Sequence, residues 1–139
     1  MRKLGSPLLL GSTCLSFLFG VKLTFAQARA DCPATKPTTD EKYSPGQVWS
    51  YKARPGEAAS TVTILNVESL PKLGEIIHIR IDGIALKNCS GGPSPNNIAH
   101  TPFSRDAIEN GVTRLVKVDP DLPDFQEGYK DWRDHCGGV

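Results

Sequence analysis

The chain has 139 residues, room for one domain with its own hydrophobic core. Thirteen glycines and eleven prolines favour turns and short elements over a helical bundle. Sixteen Lys and Arg face fifteen Asp and Glu, scattered without a basic stripe or interleaved aromatics, so nucleic acid is not an expected partner.

Residues 1–30 read as a cleavable secretory signal. Arg2 and Lys3 supply its positive start, Leu8 to Val21 a broken apolar run, and Ala26-Gln27-Ala28 and Ala28-Arg29-Ala30 two overlapping small-x-small cleavage sites. The charge-free stretch Leu4 to Val21 carries Gly5, Pro7, Gly11 and several hydroxyl residues, so no stable membrane span is expected after cleavage. A lipid attachment at Cys14 lacks the aliphatic and small residues that should precede it. Loss of Arg2, Lys3, Lys22 and Arg29 takes the sixteen cations to twelve against fifteen acids, net −3. Export implies an oxidising compartment, secreted or periplasmic, and a disulfide among the three remaining cysteines. Cys89 with Cys136 is the favoured pair, with Cys32 as the alternative partner. No C-x-x-C occurs, so no metal site is expected.

Residues 31–44 are polar and aperiodic and read as a flexible lead-in to a single domain over 45–139. Pro45-Gly46 suits the centre of a type II turn. Gln47 to Ala53 reads as a first strand, and Thr61 to Glu68 as a second whose alternation is blurred at Ile64-Leu65. Glu75 to Asn88 carries Asp82-Gly83 between apolar runs, the sequence of a tight hairpin. In that register Ile77, Ile79, Ile81, Ile84 and Leu86 share one face, and His78, Arg80, Ala85 and Lys87 the other. Cys89 to Thr101 is a Gly/Pro/Asn loop. Ser104 then caps a helix whose buried stripe is Ile108, Val112, Leu115 and Val116. Asp124 with Glu127 resembles the capping box of a last helix, with Phe125, Tyr129, Trp132 and Cys136 on one face and Gly137-Gly138 at its end.

These elements predict an α+β fold: an antiparallel sheet of four to five short strands, open to curling into a half-barrel, with two C-terminal helices packed on one face. Four stretches, GQVWSYKARPGE (46–57), IIHIRIDGIALKN (76–88), IAHTPFSRDAI (98–108) and LPDFQEGYKDWR (122–133), resemble a family of small uncharacterised bacterial proteins, a domain of unknown function. The resemblance covers most of 46–133. It implies a bacterial source, hence periplasm or medium, and supplies no catalytic residue.

Candidate ligand-binding residues are His78, Arg80 and Lys87 on the polar hairpin face, with Asp82 at its tip. Arg80 offers a fork for an anion or carboxylate, against the plainer reading of a solvated face. His100, in the loop before the first helix, is either an acid, base or ligand or a group that fixes the loop. No G-x-S-x-G, H-E-x-x-H or phosphate-cradling loop occurs, and no cofactor is expected. The reading is an exported binding or accessory module for a protein or envelope component. The alternative is a small hydrolase or ligand-binding enzyme using His100 and the His78/Arg80 face.

Overall fold

A computed structural model describes residues 32–137. The expected leader, Cys14 within it, Asp31 and Gly138 lie outside the described residues. The fold is α+β. Strands β1 (Lys36–Pro37), β2 (Gln47–Tyr51), β3 (Thr61–Leu70), β4 (Gly74–Asp82) and β5 (Asn97–Ser104) lead into helix α1 (Arg105–Gly111). Strand β6 (Val112–Val118) and helix α2 (Gln126–Asp134) complete the chain. The sheet is antiparallel throughout, in the order β5-β4-β3-β2-β6, with β1 also on β3. It is open, with β5 and β6 at its edges and no closure into a barrel.

Two punctuation signals work as read. Gly46 sits at φ 90 in a turn closed by Gln47 N–H to Ser44 O (3.2 Å). Ser104 caps α1, its hydroxyl accepting from Ala107 N (3.2 Å).

The Asp82-Gly83 hairpin does not form. The hairpin into β4 is made instead by Leu70 to Gly74, closed by Leu73 N–H to Leu70 O (3.1 Å), with Pro71 and Lys72 at its centre. Gly83 has the anticipated positive φ of 75, but its N–H and that of Ile84 both donate to Asn96 O, opening a wide loop towards β5. The RPGE turn anchors the chain that follows. Arg54 holds the Glu57 carboxylate (2.6 and 2.9 Å), and Glu57 Oε1 accepts Ala85 N–H (2.8 Å). The donor that would close the tight turn, Ile84 N–H towards Ile81 O, is the one that Asn96 O has taken. Lys87 consequently sits exposed in the loop, away from His78 and Arg80.

The first helix is also shorter than its apolar spacing suggests. It stops at Gly111, whose carbonyl accepts Lys52 N–H (3.0 Å), while Lys52 Nζ donates to Asn110 O (2.8 Å). Val112 to Val118 then pairs with β2. Its β-branched residues satisfy an alternating strand as readily as a helical stripe, and the neighbouring strand decides between them.

The two helices cover opposite faces rather than one. Ile108 of α1 joins Tyr43, Val62, Ile64, Val67, Ile77 and Ile79 in one buried cluster. Trp132 of α2 packs with Leu70 and Ile76 in another, with Tyr129 against it. Ile76 and Ile77 are successive residues of one strand, so their clusters lie on opposite sides of the sheet.

Residues 32–44 belong to the packed structure. Asp40 Oδ1 accepts from Lys42 N and Tyr43 N, its Oδ2 accepts from Arg105 Nε (2.5 Å), and Tyr43 is buried against Trp49. The disulfide joins Cys32, not Cys89, to Cys136. Gly137 lies against Leu70, at the hairpin end of β4, whereas Cys89 follows the Asp82 end. The nine-residue strand separates those ends by roughly 25 Å. Cys89 remains exposed and free.

Candidate functional site

Two irregularities in strand pairing build the site. On β3, Ile64 pairs with Ile79 but Asn66 pairs with His78, so Leu65 is an extra residue and the register slips by one. Beyond that bulge Glu68 shares the face of Ile76 and His78; in unbroken register it would share the face of Glu75. On the other side of β4, a second bulge between Ile79 and Ile81 lies where β5 carries His100. Helix α2 then closes over this face with Trp132 and Tyr129.

The result is a continuous hydrogen-bonded chain. Tyr129 O–H donates to Glu68 Oε2 (3.1 Å), His78 Nε2 bonds Glu68 Oε1 (3.0 Å), and His78 Nδ1 bonds His100 Nε2 (2.9 Å). Glu68 is 3% exposed and His78 0%. The His78 and His100 rings are nearly parallel, edge to edge (centroids 5.1 Å apart); His78 meets Trp132 edge-on (4.6 Å), and Phe125 lies parallel to His100 at 6.2 Å.

The directions of these bonds follow from the chemistry of each group. Burial is the largest influence on His78 and lowers its pKa to about 4 against the opposing pull of Glu68, so the imidazole is neutral near pH 7. Burial likewise lowers that of His100. Tyr129 is raised, by burial first and then by Glu68, and keeps its proton. With the Glu68 carboxyl accepting two bonds, His78 Nε2 carries the proton and Nδ1 accepts. His100 Nε2 is therefore the donor, and His100 Nδ1 is an unprotonated lone pair. It has no hydrogen-bond partner among the described residues and is not sealed from solvent. Two clefts, of about 620 and 450 Å³, meet at His100, Gly128 and Asp131.

The predicted site residues thus divide. His78 and His100 come together. Arg80 and Asp82 lie further along the same face but spend their charges on each other, Arg80 Nε meeting both Asp82 oxygens at 2.8 Å. Asp82 borders a separate groove of about 240 Å³ with Thr61, Thr63 and Lys117. Lys87 reaches neither. Sequence reasoning missed Glu68 and placed Tyr129 on the apolar face of the last helix without its bond to that acid. Glu68 stands out as an acid inside a β-branched run, but only the Leu65 bulge says which face it serves. Among the described residues no group of three or more His, Cys, Asp or Glu is placed to hold a metal ion. None of their helices is long and apolar enough to cross a membrane.

A second surface lies at the far edge of the sheet. Among the described residues strand β6 pairs only with β2, and Leu115, Val116 and Val118 are 40, 44 and 63% exposed along it. Searches against protein-family models, curated proteins and solved structures return no match for this chain.

Proposed function

We infer that this chain is an exported binding or accessory module of the cell envelope that takes hold of a protein partner along the open edge of β6. The observation that carries this reading is a seven-residue edge strand with exposed Leu115, Val116 and Val118 and no strand on its outer side among the described residues. Such an edge offers main-chain donors and acceptors to an added strand, with alternate side chains supplying specificity. Arg114 and Lys117 interrupt the apolar run and guard against indiscriminate pairing. A partner strand that brings an acidic residue opposite Arg114 meets both requirements. The Cys32–Cys136 bridge is compatible with an oxidising location outside the cytoplasm, and the bacterial family resemblance points the same way.

A second reading, a small hydrolase or ligand-binding enzyme working through His100, draws on the 2.9 Å contact between His78 and His100. Among the described residues no hydroxyl or thiol is hydrogen-bonded to His100, so ligand binding is the better supported half of it. Affinity capture from the native envelope separates the two. Capture of one partner should be lost in the Val116→Glu/Val118→Glu double variant and kept in His100→Ala. Capture that survives the double variant but disappears with His100→Ala moves the function to the histidine.

A further inference from the structure

We propose that the cleft over His100 is a binding site for a protonated nitrogen, an alkylammonium or guanidinium group, held by His100 Nδ1. This deepens the ligand-binding reading of His100 and is independent of docking at β6.

Each Glu68 oxygen takes one bond, from Tyr129 or His78; both His78 nitrogens are spent, as is His100 Nε2. The chain runs in one direction, and its only unused terminus is the His100 Nδ1 lone pair. Helix α2 is cut away beside that atom. A Cβ added at Gly128 would lie 2.8 Å from His100 Cβ and 3.2 Å from Nδ1, so a larger residue could not sit there without displacing the ring. The imidazole is thus fixed in tautomer by the buried chain and in position by α2, at the junction of two clefts. Positional and tautomeric control of this kind is what an orienting contact to a ligand needs.

The surroundings choose the ligand's sign. Asp124, Glu127 and Asp131 line the clefts as further acceptors, and Lys130, the one Lys or Arg on the wall among the described residues, is already paired with Asp134. Those carboxylates alone would be an ordinary acidic rim. Beside an obligatory acceptor they reinforce one demand, for a donor that carries positive charge. An anion would face a lone pair and carboxylates together. The Phe125 ring, parallel to His100, adds a face on which a cation is stabilised.

The test is an NMR titration of the ¹⁵N-labelled protein with methylguanidinium and propylammonium chloride, against sodium chloride at equal ionic strength. A blocked tripeptide with a central arginine distinguishes a protein-borne group from a free amine, and binding by either form upholds the site. The cations should shift His100 Nδ1 and the Gly128 amide saturably. His100→Gln should weaken binding roughly tenfold or more, the loss of one charge-assisted hydrogen bond. Should that variant fail to fold, the wild-type Nδ1 resonance decides alone. Saturable shifts with acetate or phosphate instead would overturn the cationic assignment while leaving His100 a ligand site. No saturable shift with any ion would overturn both, and neither result bears on β6.

Discussion

The buried histidine predicts a specific acid sensitivity. In the unfolded chain His78 titrates near 6.5, whereas in the fold burial lowers it to about 4. A histidine held neutral by the fold favours folding above the unfolded value. That stability is lost as pH falls below 6.5, and the loss is complete only below about 4. Between pH 7 and 5.5 the unfolded imidazole goes from mostly neutral to mostly charged while the folded one stays neutral, a loss of about 1.2 kcal/mol from His78 alone. His100, also lowered by burial, adds in the same direction. Asp40, held at about 2, titrates well below this window. Glu75, raised by burial and by Asp40, has the opposite sense and gains stability as pH falls. The comparison that isolates His78 is therefore between the wild type and His78→Gln, each unfolded in urea at pH 7, 6.25 and 5.5 and followed by tryptophan fluorescence. The baseline of the variant will be lower because a bond to Glu68 changes; the slope is the readout. The wild type should lose about 1.2 kcal/mol more than the variant, or roughly 6 °C in Tm for a domain of this size. Equal slopes would refute the claim that a neutral imidazole is buried between Glu68 and His100.

Three further substitutions probe the scaffold. Cys32→Ser opens a bridge spanning 104 residues, and should cost about 4–5 kcal/mol by chain entropy. Denaturation with and without reductant measures it, and Cys89→Ser should leave stability unchanged. Lys72 sits at φ 73 in the hairpin turn, so Lys72→Gly should stabilise the fold by about 1 kcal/mol in the same assay. Gly128→Ala would gain helix propensity on an isolated helix, yet its Cβ would meet His100 Cβ at 2.8 Å. It should destabilise by roughly 1–3 kcal/mol and shift the His100 resonances, whereas a neutral or stabilising result would show that α2 lifts without strain.

Much of the framework is legible in the residues because it rests on local chemistry. Ser104 caps a helix wherever its hydroxyl can reach the N–H three residues on, and Gly46 accepts a positive φ at little steric cost. Trp49, Ile77, Ile79 and Trp132 are where apolar patterning puts them. What misleads is competition between chain segments. Asp82-Gly83 is locally suited to a tight turn, yet Ile84 N–H, the donor that would close it, goes to Asn96 O. The Val112–Val118 run fits a helix or a strand until β2 lies beside it. Cys136 falls on the right helical face, but which thiol it meets depends on which end of β4 each segment approaches.

The candidate site is the least legible part for the same reason: it is assembled by a bulge and by helix α2. His78 and Arg80 sit on one face by simple alternation, which groups them as a polar surface. Nothing in that alternation shows α2 covering His78 and leaving the Arg80–Asp82 end open. Nor does it bring Glu68 to the histidine, because the required step is a single inserted residue at Leu65 that no hydrophobic period records. A bulge here converts an acid that would otherwise lie on the α1 face, beside Glu75, into the acceptor that orients two imidazoles on the α2 face. It also means that Glu68, His78 and His100 stand or fall as a unit. Leaving Glu68 buried without its partners would cost about 3–5 kcal/mol, comparable to the bridge that ties α2 to the start of the domain. The β6 edge, two strands from β3 and on no part of this chain of bonds, is free to take a partner without disturbing it.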